Sequence, residues 1–332
     1  VRAFAPGRVN LIGDHTDYTG GLVLPMAVDL GTTVEGVRGG PVVRLRSDTE
    51  PDEAVVPLAV GDPAAVAPAW ARYVAGVVAV VRPGTGFTGR VTSTLPVGAG
   101  LSSSAALEVA VALACGFEGT PLELALACQR AEHLASGVPC GVMDQLTSAA
   151  GVAGCALLID CGALTVEPVP VPDDLWVVVV DSGERRALAG SAYAERRASC
   201  EAAAAVVGPL REASLADLAA IADPVVRARA RHVVTENARV RDFAAALRAG
   251  DAASAGALMV ASHRSLRDDF GVSTPALDAC VERLCATPGV FGARLTGAGF
   301  GGCVVALCEP GALHEGRRVR PSAGAHLETA RP

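Results

Sequence analysis

Lysine is missing from this sequence: all 28 of its basic side chains are arginines. A coding bias toward arginine accounts for the absence, but its chemical consequence holds. A P-loop needs a lysine on the nucleotide phosphates, and a pyridoxal enzyme needs a lysine Schiff base. Both are excluded, so any nucleotide phosphate must be held by backbone N–H groups, hydroxyls, arginine and metal. Aromatics are scarce at 4% and the net charge is −7. With its arginines scattered, the chain has no basic stripe interleaved with stacking rings, and nucleic acid is not an expected partner. Long hydrophobic runs are lacking as well. Apolar residues make up 51% of the chain, yet no run approaches the roughly 18–20 residues of a membrane span. The best stretch, 107–115, is short and carries Glu108. No hydrophobic signal region opens the sequence, so a soluble, cytoplasmic chain with no membrane partner is expected, and a monomer. The first residue is Val1 rather than Met, so a few leading residues are expected to be missing. The 10 cysteines form no C-x-x-C pair and no zinc spacing. They read as small buried hydrophobes of a reducing compartment.

What is present reads as strands and helices without steady βαβ alternation. Residues 22–34 read as extended with an interruption at Pro25, and 42–45, 90–94, 152–159, 176–181 and 304–307 as strands. Helices are expected over 69–81, 102–115 and 121–136, then through 191–249 and 252–267. This pattern predicts an α+β fold in two domains. The proline-rich segment 168–172 marks the expected boundary, which gives domains of residues 1–170 and 171–310. Residues 311–332 are expected to form a tail that packs back on the first domain.

Four segments carry chemistry. Residues 6–18 set Arg8, Asp14, His15 and Asp17 between glycines. Such a polar loop suits a polyhydroxyl ligand, because carboxylates accept from hydroxyls and imidazole can do either; a solvated turn explains the same composition equally well. Residues 95–106 run from a glycine-rich loop into three serines, Ser102, Ser103 and Ser104, and an Ala-rich helix. A helix start of that kind presents free N–H groups and a positive dipole end to an anion, although an ordinary N-cap has the same look. Glu132 and Asp144 are two carboxylates separated by a helix end and a Gly/Pro turn. One could hold Mg²⁺ while the other faces a hydroxyl, or they could be a surface Glu and a capping Asp. Residues 295–303 hold Gly297, Gly299, Gly301 and Gly302 ahead of an apolar strand, fit for close approach to a ligand or to another loop.

In their order and spacing, these segments resemble the galactokinase family of the GHMP kinase superfamily. Gly-Arg-Val-Asn-Leu-Ile-Gly-Asp-His-Thr-Asp-Tyr resembles the galactokinase signature, and Gly-Leu-Ser-Ser-Ser-Ala-Ala the superfamily's ATP loop. Pro-Cys-Gly-Val-Met-Asp-Gln resembles the segment that bears the family's catalytic Asp, and Thr-Gly-Ala-Gly-Phe-Gly-Gly-Cys the third superfamily motif. The likeness covers nearly the whole chain. It implies a two-domain GHMP kinase fold with the site in the cleft between domains, and transfer of a phosphoryl group from ATP, with Mg²⁺, to the anomeric hydroxyl of galactose. It implies that Asp144 faces that hydroxyl with Arg8 beside it, and that Asp14, His15, Asp17, Gly141 and Tyr193 bind the sugar. Gly98, Ala99, Gly100, Leu101, Ser102, Ser103 and Ser104 would wrap the phosphates. Ser103 or a neighbouring serine would hold Mg²⁺ with Glu132, and Trp70 and Tyr73 would line the adenine pocket. The chain departs from the family at Asp14, where Glu is usual. That leaves N-acetylgalactosamine, arabinose or a uronic acid as alternative substrates. A non-catalytic sugar sensor is disfavoured by the complete 102–106 loop and by Asp144.

Overall fold

A computed structural model describes residues 1–96, 100–185 and 189–328, the side chains of 189–191 excepted. Its first sheet runs, in spatial order, β13 (His326–Leu327), β1 (Arg2–Asn10), β3 (Pro25–Arg38), β6 (Phe87–Ser93), β4 (Val42–Ser47) and β5 (Ala54–Pro57). The second runs β10 (Val290–Thr296), β11 (Cys303–Cys308), β9 (Trp176–Asp181) and β12 (Arg317–Val319), and a small third joins β2 (Leu22–Val23), β7 (Cys155–Asp160) and β8 (Thr165–Pro170). Pairing is antiparallel except between β4 and β6. The four consecutive valines of β9 are all buried, as suits a β-branched run between two covering layers.

The helices are α1 (Ala71–Val81), α2 (Ser103–Ala114), α3 (Pro121–Ser136), α4 (Met143–Ala150), α5 (Ala189–Val207), α6 (Pro224–Ala249), α7 (Ala252–Ser265) and α8 (Pro275–Cys285). Local chemistry fixes their ends. α3 starts with a capping box between Thr120 and Glu123, with Pro121 in its first turn, and stops at Gly137, whose φ is 70°. α6 starts at Asp223, whose carboxylate accepts the N–H groups of Val225 at 2.7 Å and Val226 at 3.2 Å. A core containing Leu45, Phe87, Val109, Leu124 and Leu146 joins the first sheet to α1–α4. A second, with Phe270, Leu277, Leu284 and Val304, lies among the second sheet and the later helices. Between them, Val9, Leu11 and Met26 pack with Val240, Phe243 and Val305. That shared apolar layer holds the two halves of the chain together by burial of side chains worth about 1.5–3 kcal/mol each.

The expected helices and strands are present with ends shifted by a few residues, and the differences have physical causes. The 191–249 region is interrupted at Gly208 and Pro209, so it forms α5 and α6 rather than one helical stretch. α7 ends at Ser265 and passes into a π turn, Leu266–Phe270. Arg8 and Asn10 lie on β1, not on a loop; the turn itself begins after Asn10. Pro6 and Gly7 obscure this strand in the sequence, and the pairing of β1 with β3 shifts register between Pro6 and Arg8. The 168–172 segment is not a free linker: Thr165–Pro170 is an edge strand of the third sheet, where proline is tolerated. At the far end of the described chain, β13 pairs with β1 and Pro321 bridges Val28. No helix among the described residues is long and apolar enough to cross a membrane.

Candidate active site

A cavity of about 560 Å³ opens where β1, α2, α4 and the 295–303 turn converge. It brings Arg8, Asp14, His15, Asp17, Tyr73, Gly100, Leu101, Ser102, Ser103, Ser104, Glu132, Gly141, Asp144 and Tyr193 to one surface, together with Gly297 and Ala298. Gly98 and Ala99 lie outside the described residues. Trp70 is not among the lining residues. It stands at the N-terminal end of α1, where its indole N–H donates to the Asp52 carbonyl at 3.1 Å; of the two aromatic residues expected at the adenine, Tyr73, almost one turn further on, is the one that lines the cavity.

Arg8 and Asp144 form the centre. β1 delivers Arg8 from below, and the first turn of α4 delivers Asp144. Arg8 donates from Nε to Asp144 Oδ1 at 2.7 Å and from Nη2 to Oδ2 at 2.9 Å, a two-pronged pair that fixes the carboxylate plane. Nη1 donates to the Gly100 carbonyl at 2.8 Å, and the Arg8 backbone N–H to Leu101 O at 3.0 Å, so the same residue also anchors the glycine-rich loop. Ser102, held at φ 56° at the N-cap of α2, donates its hydroxyl to Asp144 Oδ2 at 2.5 Å. A left-handed backbone is unusual for serine and marks a constrained position. The Arg8 side chain is 6% exposed and that of Asp144 30% exposed; the carboxylate therefore keeps an open edge toward the cavity.

One edge of this centre belongs to the 11–18 loop. Gly13 has a φ of 96°, and a Cβ there would sit 2.8 Å from the Leu22 carbonyl, so only glycine fits the turn. Asp14 is almost fully buried. Its Oδ2 accepts from Arg294 Nη2, and its Oδ1 from the Gly297 N–H at 3.1 Å. His15 is wedged against Phe270, Tyr18 and Tyr193. Burial lowers its pKa to about 3, so it is neutral; Nε2–H donates to the Ala298 carbonyl at 3.2 Å and Nδ1 accepts from the Tyr18 hydroxyl at 3.0 Å. The first and fourth sequence segments thus touch through Asp14–Gly297 and His15–Ala298. Burial, then the nearby Asp144 carboxylate, raises the Asp17 pKa to about 7. A Cβ on Gly141 would run into the Asp17 carboxylate, which explains glycine at that position.

The opposite edge belongs to α2 and α3. Ser103 lines the cavity, but the serine that meets Glu132 is Ser104, which donates to Oε1 at 3.1 Å. Burial, then the Asp144 charge, pushes Glu132 up to about 7. Gln145 donates to Glu132 Oε2 at 2.5 Å and to Glu108 Oε2 at 3.2 Å, and burial raises the Glu108 pKa well above the carboxylate range. A carboxylate oxygen and hydroxyls facing a cavity fit Mg²⁺, which takes few protein oxygens and completes its shell with phosphate and water.

Several residues that hold these groups escape sequence reasoning: Arg294, Gln145, Glu108 and, on α6, His232, Glu236 and Asn237. Glu108 and Arg294 stand among apolar neighbours, the three on α6 are spread through an Ala/Arg-rich helix, and Gln145 is overshadowed by the adjacent Asp144. The available signal was weak: His232 and Glu236 fall four apart on the face of α6 that also carries Val233, Val240 and Phe243.

Comparison with known proteins agrees with this layout. Residues 1–37 match the galactokinase galactose-binding signature, residues 72–152 the GHMP kinases N-terminal domain, and residues 243–324 the GHMP kinases C-terminal domain. Human galactokinase is 47% identical over 340 residues, covering 96% of this chain and 87% of its own. The galactokinase of Chloroflexus aurantiacus is 48% identical over 326 residues, covering 92% and 83%. Lactococcus lactis galactokinase, solved in complex with galactose, superposes with a TM-score of 0.90 at 32% identity over 98% of this chain and 94% of that one. A Methanococcus jannaschii mevalonate kinase shares the fold with a TM-score of 0.64 at 21% identity, over 93% of this chain and 90% of its own.

Proposed function

The chain belongs to the galactokinase family of GHMP kinases, and from that premise we infer that it transfers the γ-phosphoryl group of ATP to the anomeric hydroxyl of galactose. The observation that carries the assignment of roles is the Arg8–Asp144–Ser102 centre, set between the 11–18 loop and the 100–104 turn in one cavity.

Asp144 faces the attacking hydroxyl, with its position set by two N–H bonds from Arg8 and one O–H bond from Ser102. The hydroxyl oxygen attacks the γ-phosphorus in line with the bond to ADP, which leaves, while the hydroxyl proton passes to Asp144 and on to water. Because the transition state is loose, orientation of the hydroxyl matters as much as its deprotonation. Asp14, His15, Asp17, Gly141 and Tyr193 enclose the sugar. Gly100 to Ser104 present backbone N–H groups and the N-terminal end of α2 to the phosphates, and Tyr73 borders the adenine; the proposed phosphate-binding role of Gly98 and Ala99 falls outside the described residues. Glu132 with Ser103 or Ser104 would hold Mg²⁺, which supplies neutralisation of phosphate charge. Domains of residues 1–170 and 171–310 fit the two cores, but of the 311–332 tail Arg317–Val319 still pairs with the second sheet and the chain returns to the first from Pro321 on. A cytoplasmic location goes with this reading, since Cys115, Cys128, Cys200 and Cys280 are buried thiols without a disulfide.

Release of ADP by the purified protein over a panel of monosaccharides tests the reading. Galactose should give the highest kcat/KM, and NMR of the product should place phosphate on C1. Faster turnover of N-acetylgalactosamine, arabinose or a uronic acid would replace galactose, and ATP and galactose binding without turnover would favour a sensor.

A further inference from the structure

One face of α6 grips the main chain of the 11–22 segment. Glu236 Oε1 accepts the Gly13 N–H at 3.0 Å. One turn earlier, His232 donates from Nε2 to the Asp14 carbonyl at 3.1 Å, and the adjacent Asn237 Oδ1 accepts the Leu22 N–H at 2.7 Å. Two of the three bonds fall on either side of Asp14, at the Gly13 N–H and the Asp14 carbonyl, where the backbone passes through Gly13 at φ 96° and His15 at φ 67°, and the third holds the far end of the segment at Leu22. Inside the loop, Thr16 Oγ1 lies 2.8 Å from the Gly13 carbonyl and 2.6 Å from that of Leu22.

Glu236 is fully buried. An unpaired carboxylate there would be costly, but this one is matched. Oε1 also accepts from Ser262 on α7 at 2.5 Å, and Oε2 accepts from Arg239 at 2.6 Å. Burial favours its neutral form, but His232, Arg239, Arg294 and the Ser262 hydroxyl outweigh that and hold its pKa down to about 2. The carboxylate is charged at every working pH, and one of its donors is the backbone of the loop that carries Asp14, His15 and Asp17. His232 is in turn located by Ser265, whose Oγ lies 2.9 Å from Nδ1, and Asn237 by its own Nδ2 bond to the Val233 carbonyl at 3.0 Å.

We propose that Glu236, His232 and Asn237 are positioning residues for sugar recognition, which set the 11–22 segment in the conformation that aims Asp14, His15 and Asp17 at the substrate. The proposal rests on the assignment of that segment as the sugar site. None of the three lines the cavity, so they act through the loop and not on the sugar. Loss of the grip lets the loop drift, while the 100–104 turn and Glu132, which α6 does not hold, stay in place. The consequence is selective: the sugar side weakens and the nucleotide side does not.

The test is calorimetry and steady-state kinetics on the full chain carrying Glu236→Gln, with Asn237→Ala as a second variant that leaves no charge unpaired. Galactose Kd and KM should rise by about 10-fold or more for Glu236→Gln and less for Asn237→Ala, since small misplacements of a positioning group cost up to about 100-fold. The KM for ATP should stay within about 2-fold of wild type, because a positioning effect removes sugar binding alone. If both variants melt earlier but bind galactose with the wild-type Kd, the contacts are only structural and the proposal fails. If Glu236→Gln does not fold, Asn237→Ala decides alone: a raised galactose Kd sustains the proposal and an unchanged one overturns it. Wild-type protein that binds no galactose would instead refute the assignment of the loop, and the proposal with it.

Discussion

At the proposed sugar end of the cavity Asp14, His15 and the loop backbone arrive with their partners already fixed, and Asp17 is the group left with its pKa raised, to about 7. Asp14 is held by Arg294 and Gly297, His15 by Ala298 and Tyr18, and the loop backbone by α6. The nucleotide end is built differently. Ser103 is exposed, Tyr73 and Glu132 are half-buried, and the Glu132 carboxylate, raised to about 7, stands beside Asp144 with only the neutral donors Ser104 and Gln145 bonded to it. A neutral polyol is told apart from its isomers only by directional hydrogen bonds, so its site gains from rigidity. Phosphates and Mg²⁺ bring their own charge and geometry, so their site can leave groups unmatched until they arrive. Arg8 belongs to both ends, through Asp144 and through the carbonyl of Gly100.

That contrast can be broken first at its hinge. Arg8→Met removes two of the three bonds that fix the Asp144 carboxylate, keeping only that from Ser102, and leaves Asp144 beside Asp17 without a cation. kcat should fall by about 100-fold or more, as when a preorganised donor is removed elsewhere, with galactose Kd changed far less; stopped-flow ADP release and calorimetry measure the two. Next is the nucleotide end. Glu132→Ala should raise the Mg²⁺ concentration for half-maximal activity by about 10-fold or more, while galactose Kd without nucleotide stays as in wild type. An unchanged Mg²⁺ requirement would separate Glu132 from the metal.

The sugar end can be sharpened through Asp14. Each of its oxygens already accepts a protein N–H and the residue is 2% exposed, so a sugar hydroxyl meets an acceptor that is shared and short of reach. An analogue lacking the hydroxyl furthest from the anomeric carbon should lose less than about 10-fold in kcat/KM, far below the discrimination of a directly bonded hydroxyl. Asp14→Glu should widen that gap; strong rejection of the analogue by wild type, unaltered in the Glu variant, would show Asp14 bonding the sugar fully.

The smallest effect is one of pH. Asp17 and Glu132 titrate near 7 in the folded protein and near 4 when unfolded. Between those values the folded state binds more protons than the unfolded one, so stability falls as pH rises through the window and levels off above it. The buried neutral imidazoles of His15, His232 and His263 act in the opposite direction over the same range, so the carboxyl contribution is read as a difference between variants. By differential scanning calorimetry of the ligand-free protein, Tm at pH 7.5 relative to pH 5.5 should be higher in Asp17→Asn than in wild type by about 2–4 °C, and an identical pH profile in the two would contradict the shifted Asp17 carboxyl.

Much of this contrast is legible in the sequence. Runs of adjacent residues with a shared chemistry, such as Gly13 to Tyr18 or Ser102 to Ala106, announce themselves because neighbours on a tight turn act on one ligand. The fold class follows from period and punctuation, and the capped helix α3 is readable to the residue. The supports are not. Glu236 and His232 sit in a stretch whose arginines make it look like a solvated helix, and their importance comes from what faces them across 200 residues of chain. Arg294 likewise reads as one more arginine ahead of a glycine turn, although it is fully buried. β1 is hidden because Pro6 and Gly7 break its alternation, and the turn of the Trp70 indole toward the Asp52 carbonyl is not readable from its place near a helix start.

Single-turnover phosphoryl transfer by Asp144→Asn tests most directly the proposed role of Asp144 as the group that faces the accepting hydroxyl. Preloaded with galactose and Mg-ATP, the variant should bind both within about 3-fold of wild type and transfer phosphate about 100- to 10,000-fold more slowly, the range expected for a lost acid–base group. Transfer at close to the wild-type rate with both substrates bound would contradict the account.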